Sequence, residues 1–491
     1  MLPTDSKAEI VIPQLTESNL NDEAYQQDDS STIAEAHLKL AIACAERREL
    51  DAARRHANLA AQQAALDWPQ LELLGTMLFQ LSEFSSAYFV LSQASQNGPL
   101  GAEALEVLAA LFHRTGEAEN ARRCIAAMAQ LNAIAAPSRL HPDRPKILRL
   151  RSVEKSHFGI KTNRETGLRY CWLKGGHFSI KNLMDRDRFN LYVATVFGNN
   201  LDRPEALPDF DLFVNGVSCP DLDPVGLDNV EAFLAKFPDV PVINPPHKVR
   251  RTTRAENSRR LGVLPHVILP QTELFCLEGP APAIATQVEA AGLGYPVIVR
   301  HRGTQTGKTM AKIDSRAALV EWLSAQPPGT EAYATAFIDC RWPDGYYHKS
   351  RVFFIDGELF PVASLASDSW QIHSGDRYRV MSSTPSTQED ENCFLRDPAA
   401  YLGAKAINAL YTICNTIALD FFGIDFTLDS ERNVIVFEAN AAMRHNFDHA
   451  ENFPYTRPHL ERVSEAFAAM IERRTTARQS PSTSSALPSL P

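Results

Sequence analysis

The chain predicts a multidomain fold in three successive parts: an all-α region of repeated helices, a small α/β domain, and an α+β domain built from strand hairpins. Three observations carry this. Residues 35–132 are rich in Ala and Leu, with hardly any strand pattern. Between 145 and 240, buried-strand runs alternate with a helical run. Beyond 241, apolar runs of strand character flank polar or Gly-rich turns. A chain of 491 residues exceeds what one core supports, so two to four domains are expected.

Residues 1–30 are polar and acidic (TESNLNDEAYQQDDSS) and are expected to be disordered. The helical region then repeats itself. Leu40-Ala41, Leu74-Gly75 and Leu108-Ala109 are spaced by 34 residues, as are Ala53, Ala87 and Ala121, and Ala60, Ala94 and Met128. Small residues suit the close approach of paired helices, and leucine fills the groove between them. Pro99 ends the second unit and Gly116 turns the third. A two-helix period of this length resembles the tetratricopeptide repeat, so residues 31–135 are expected to form a short solenoid. Two uses compete for it: a partner-binding groove, or a helical cap on the domain that follows.

After a Pro-rich linker (AAPSRLHPDRPK) the texture changes. LYVATVFG (191–198), FDLFVNGV (210–217) and PVIN (241–244) are buried-strand runs, and LDNVEAFLAKF between the last two has helical spacing. Strands alternating with helices predict a parallel sheet in a three-layer α/β domain over 145–240.

The segment GTQTGKT, Gly303 to Thr309, looks like a phosphate-binding P-loop, but only three residues separate Gly303 from Gly307 where four are required. Its surroundings decide. PVIVR before it is a strand, MAKI after it is extended in character, and the helix RAALVEWL begins later behind Asp314-Ser315, a good N-cap. The segment therefore joins two strands, which excludes a P-loop and favours a glycine-rich hairpin lid. Glycines there let backbone N–H groups approach phosphate oxygens; a plain surface turn is the alternative. A second hairpin is read in FFGIDFTLDSERNVIVFEAN (421–440). Glu438 and Asn440 share one strand face, and Asp425 lies on the partner strand. Three oxygen ligands beside a phosphate loop suit Mg²⁺. Carboxylates among such apolar neighbours require a partner, which a cation supplies.

With those motifs in order, the chain resembles the ATP-grasp ligases of the glutathione-synthetase-like and ribosomal-protein-glutamyl-ligase-like branches, over residues 190–472. The resemblance implies an α/β pre-ATP-grasp domain (145–240) and an α+β ATP-grasp domain (241–473) behind the repeat solenoid, with a disordered tail at 474–491. VINPPHKVRRTTRAENSRRLGVLPHVILPQT looks like the segment leading into the grasp, with a basic helix. PVIVR looks like the strand that normally ends in a nucleotide-contacting lysine. Here Arg254 and Arg300 stand at or near the usual lysine positions; arginine keeps the charge and can grip phosphate bidentately. RGTQTGKT looks like the phosphate lid, implicating Gly303, Thr306, Gly307 and Lys308. YATAFID looks like the hinge whose backbone reads adenine, implicating Thr335, Ala336, Phe337 and Ile338. HKSRVFFIDGELFP supplies Lys349 and Arg351 as catalytic cations, and GIDF and FEANAAM look like the metal hairpin carrying Asp425, Glu438 and Asn440. Where many members have proline after that asparagine, this chain has alanine.

The resemblance implies ATP and Mg²⁺, with Mn²⁺ as a substitute, and a carboxylate and an amine as substrates. The carboxylate takes the γ-phosphoryl group and the amine then displaces phosphate. Family members are often dimers. On the acceptor side, Arg444 is a candidate to hold a carboxylate or a tetrahedral intermediate. His373, His445 and His449 are candidate acid/base groups, set against ordinary hydrogen-bonded loop histidines.

Bulk properties narrow the partners. The net charge is −10, and the basic cluster HKVRRTTRAENSRR (247–260) has no interleaved aromatics, so nucleic-acid binding is not expected. No apolar run reaches the ~18 residues of a membrane span, and the N-terminus lacks a secretion-signal layout. Eight scattered cysteines without C-x-x-C suggest reduced thiols and a cytoplasmic protein. Three functions follow for testing: a carboxylate–amine ligase with repeats that recruit a partner, an ATP-grasp phosphotransferase, and a repeat-borne interaction protein with an inactive grasp domain.

Overall fold

The computed structural model describes residues 30–63, 66–131, 133–201, 207–305, 307, 309–441 and 443–479. The chain forms two compact units. One contains the helical region together with Ser156–Gly175; the other contains Ala133–Lys155 and the chain from Gly176 onward.

Among the described residues of the first unit, six helices follow one another: α1 (Ser30–Glu46), α2 (Leu50–Gln62), α3 (Trp68–Gln80), α4 (Phe84–Asn97), α5 (Ala102–Thr115) and α6 (Ala118–Leu131). Every position of the 34-residue repeat is buried, from Leu40 and Ala41 to Ala121 and Met128. At Gly75 the reason is steric: a Cβ there would lie 2.5 Å from Leu91 Cγ on the facing helix. Asp67 caps α3 in a reciprocal box with Gln70, and Gly116 ends α5 in the left-handed region at φ 83°.

This unit also holds a hairpin of β3 (Ser156–Thr162) and β4 (Arg169–Gly175), which packs on α3 and α5. Asn163 shapes its turn by accepting from the N–H groups of Glu165 and Thr166. The His157 ring packs tilted against His113 of α5, and Arg169 Nε donates to Ser82 Oγ at 2.9 Å. The hairpin lies in sequence inside the expected α/β domain, yet it leaves that domain to join the helices.

The second unit begins with a sheet in the order β1 (Ile134–Ala135), β5 (Asn190–Val196), β2 (Lys146–Ser152), β6 (Leu212–Asn215), β7 (Val242–Ile243); all but β1 run parallel. Helix α7 (Pro224–Leu234) covers it, capped by Asp223 with proline in its first turn. The strands read from the sequence are present, and α7 falls at the predicted helical run. The central strand β2 was not foreseen.

Two antiparallel-based sheets follow. The first has the order β11 (Ala311–Ile313), β10 (Val297–His301), β12 (Glu331–Ala336), β9 (Thr272–Cys276). The second has the order β14 (Glu358–Ser367), β13 (Tyr347–Ile355), β15 (Phe421–Leu428), β16 (Val434–Asn440), β8 (Val267–Ile268). Helix α8 (Arg254–Leu261) precedes β8; α9 (Ala281–Ala290) and α10 (Arg316–Ser324) pack on the first of these sheets. Further on come α11 (Pro385–Arg396), α12 (Pro398–Ile417) and α13 (Arg457–Gln479). One apolar cluster runs from Leu148, Phe213 and Val230 to Phe354, Phe394 and Ile424, so the expected α/β and α+β domains share a core. Helix α13 continues to Gln479, past the boundary at 473 where a tail was expected to begin. Residues 1–29 and 480–491, expected to be disordered, lie outside the described residues. No helix among the described residues is long and apolar enough to cross a membrane.

Candidate functional site

The glycine-rich segment links β10 to β11, which pair antiparallel with Val299 opposite Ala311. The helix starts later at Arg316, capped by Ser315 accepting from Ala318 N. The segment therefore joins two strands and does not open into a helix, as a P-loop must. Gly303 and Gly307 both have positive φ, 71° and 67°. At Gly303 the need is doubled: a Cβ would lie 2.9 Å from the carbonyl oxygen of Asp221, in the loop after β6. At Gly307 a Cβ would meet Gln371 Nε2 at 2.8 Å and His373 at 3.0 Å. Gln371 Nε2 also donates to the Gly307 carbonyl at 3.1 Å. Two walls therefore hold the glycine loop. Thr306 and Lys308, expected to add donors there, lie outside the described residues.

Asp425 and Glu438 are direct cross-strand partners on β15 and β16, beside a register shift after Asp425. Asp425 also faces Arg351 across β13. The Arg351 guanidinium donates to both Asp425 oxygens, at 2.6 and 2.8 Å, and Lys349 Nζ lies 3.7 Å from the same carboxylate. Glu438 is paired with Arg254 at 2.8 Å, and Asn440 Nδ2 donates to it at 3.4 Å. Burial alone would raise both carboxyl pKa values. Arg351 and Lys349 outweigh it at Asp425, Arg254 and Arg300 outweigh it at Glu438, and both carboxyls end below their ordinary range. Arg300 is itself buried and bonded to the Thr304 carbonyl of the glycine loop. Burial, then Arg254, lowers its pKa to about 10, so it stays charged at neutral pH.

Seven of the sequence-predicted residues thus converge: Arg254, Arg300, Lys349, Arg351, Asp425, Glu438 and Asn440. Their donor set of two carboxylates and an amide offers hard oxygen ligands to a divalent cation such as Mg²⁺. Among the described residues no group of three or more His, Cys, Asp or Glu side chains gathers as a metal site.

Of the expected hinge positions, Thr335 and Ala336 end β12, with Phe337 and Ile338 just beyond. Ala336 N–H donates to Gln271 O at 2.9 Å and Phe337 N–H to Pro296 O at 3.1 Å, so these two donors serve the sheet. The Phe337 ring packs edge-on against Trp370, with Lys312 Nζ 4.4 Å above its centre. Arg444 stands apart: its exposed guanidinium pairs with Asp448 at 2.8 Å, and only its backbone carbonyl meets Arg351. His445 is buried against Phe353 and Phe447, with Nε2 bonded to Ser464 Oγ, and burial pushes its pKa down to about 4. A neutral core histidine is a poor acid/base group. His449 is bonded to Tyr378 OH at 3.0 Å, and His373 abuts the glycine loop.

Sequence reasoning missed Asp221, and within DSWQIHSGD (368–376), read as following the basic hairpin on the acceptor side, it named only His373 and not Trp370 or Gln371. All three are in loops without periodicity, and only the fold brings them to the site.

No protein-family model matches the chain, and no curated protein matches it. Solved structures do. D-alanine–D-alanine ligase from Bacillus anthracis is similar over 68% of this chain and 99% of its own, at 11% identity and a TM-score of 0.40. A RimK domain ATP-grasp protein from Sphaerobacter thermophilus is similar over 66% of this chain and 99% of its own, at 13% identity and a TM-score of 0.39. D-alanyl-alanine synthetase A from Vibrio cholerae is similar over 68% and 100%, at 12% identity and a TM-score of 0.39. At that distance the functional assignment rests on the chain's own geometry.

Proposed function

We propose that the chain is an ATP-dependent carboxylate–amine ligase of the ATP-grasp type, working through an acyl phosphate. One observation supports this above the others: two ionised carboxylates and four side-chain cations converge beside a glycine hairpin that is held on both sides. A polyanion with a divalent cation matches that distribution of charge. Asp425, Glu438 and Asn440 would hold Mg²⁺, which when bound neutralises phosphate charge. These three side chains would supply part of its oxygen shell. Arg254, Arg300, Lys349 and Arg351 now balance the carboxylates and are the groups that would turn to the phosphates. Charge neutralisation and positioning are most of what phosphoryl transfer requires. The glycine loop shields the activated carboxyl from water, which would otherwise compete with the amine. Adenine is assigned to the hinge at Thr335–Ile338, against Phe337. In this reading the helical unit recruits the substrate or a protein that carries it.

In balance, the substrate carboxylate oxygen attacks the γ-phosphorus and ADP leaves. The amine nitrogen then attacks the acyl carbon, and phosphate leaves with a proton released. A phosphotransferase would share the first step and stop there. Incubating the protein with MgATP and pooled amino acids and short peptides, read by phosphorus NMR and mass spectrometry, separates them. Inorganic phosphate appearing together with a product lighter by one water than its two substrates is the expected result. A stable phosphorylated product without free phosphate would replace the ligase by a kinase.

A further inference from the structure

The loop after β6 carries a buried carboxylate with no part in the chemistry above. The Asp221 side chain is only 6% exposed. Its Oδ1 accepts from Tyr333 OH at 2.5 Å and from Arg302 Nε at 3.4 Å, and its Oδ2 accepts from the backbone N–H of Arg254 at 3.0 Å. Each partner belongs to a different part of the candidate site. Tyr333 is on β12, two residues before the hinge. Arg302 neighbours Gly303 in the glycine loop. Arg254 opens α8, and its guanidinium pairs with Glu438. The same loop backs Gly303 through the Asp221 carbonyl.

We propose that Asp221 is a positioning residue: through one carboxylate it fixes the glycine loop, the hinge strand and the start of α8 relative to the parallel sheet. This rests on the ligase reading for its functional consequence, though not for its structural one. The physical basis is a carboxylate surrounded by donors. Bonds to an ionised group are roughly twice as strong as neutral ones. A carboxylate taken out of water in this way needs those donors as partners. Glu331 completes the arrangement by holding the other side of Arg302, at 2.9 Å. The loop's first residue is thereby clamped between β12 and the parallel sheet.

Asp221→Asn tests this almost isosterically. One oxygen becomes an NH₂ group, so a donor now faces donors and at least one of the three bonds is lost. Tyr333→Phe removes a single hydroxyl and carries the test should the first variant fold poorly. The first readout is hydrogen exchange without nucleotide. Exchange should quicken roughly 10-fold or more in peptides covering 302–310, the end of β12 and the start of α8, the size expected for losing a bond to a charged group. Elsewhere it should stay as in the wild type; a rise spread over the whole chain would mean general destabilisation and would overturn the proposal. The second readout is MgATP affinity, expected to weaken roughly 10-fold in each variant. The double variant should be no worse than Asp221→Asn alone, because both act through one carboxylate. Unchanged exchange in the loop, or fully additive losses, would also overturn it. Absence of MgATP binding in the wild type would defeat the ligase reading instead, and the exchange result would still decide the role of Asp221.

Discussion

Asp425→Ala lowers the stability of the protein by roughly 3 kcal/mol and removes its Mg²⁺-dependent nucleotide binding; this is the expected result of breaking a largely buried ion pair from one side. The carboxylate is 4% exposed and takes two bonds from Arg351. Its loss leaves that guanidinium, with Lys349 nearby, without the carboxylate that takes its two bonds. The pH dependence follows with a definite sign. Arg351 and Lys349 hold the folded pKa of Asp425 below its ordinary value against the opposing effect of burial. The stability this contributes is complete above the unfolded value of about 4 and is lost as pH falls through the lower folded value. Thermal melts from about pH 7 down to about pH 3 should therefore show the wild type losing its advantage over the variant at the acid end. A difference that stayed constant across that range would mean that the pair contributes nothing through its charge.

The second large effect is placed away from the nucleotide. Glu391 is 0% exposed and binds both terminal nitrogens of Arg377, the Tyr455 hydroxyl at 2.8 Å and the Ser364 N–H at 2.9 Å. Glu391→Ala is expected to cost roughly 4 kcal/mol, because Arg377 remains buried without its carboxylate partner. Arg377 follows closely on Gln371 and His373, which wall the glycine loop, so nucleotide affinity should fall as well. Denaturant unfolding gives the first number. Replacing both partners, Glu391→Leu with Arg377→Met, should recover much of the stability but not the affinity. If the double variant is no more stable than Glu391→Ala, the cost is lost packing and not an orphaned charge.

How much of this was legible in the sequence depends on whether a residue announces itself locally. The hairpin of β10 and β11 was legible because Asp314-Ser315 marks where the helix begins, leaving the glycines between two extended runs. Asp425 and Glu438 were legible because alternation along a strand assigns each side chain to a face. The helical region was legible because its Ala- and Leu-rich positions recur at 34-residue spacing, and each of those positions is buried. Strand β2, KILRLRS, was not: its alternating arginines look like an exposed edge, yet it lies between β5 and β6. Arg149 is partly buried there, and burial lowers its pKa to about 10. The hairpin at 156–175 carries ordinary strand residues, and its choice of the helices over the sheet beside it in sequence is a tertiary matter. Asp221 and Glu391 look like solvated carboxylates until the fold surrounds them with donors. Arg444 errs the other way: it follows β16 closely in sequence, but Asp448, four residues on, takes its side chain.

The central claim is that the carboxylates and cations around β15 and β16 form a nucleotide–metal site. Titration calorimetry with ATP, in the presence of Mg²⁺ and then of excess chelator, tests it most directly, on the wild type and on Glu438→Ala. The account predicts binding by the wild type that disappears with chelator, and none by the variant, whose fold should otherwise be intact. ATP binding that is indifferent to both chelator and the substitution, or no ATP binding at all, would contradict it.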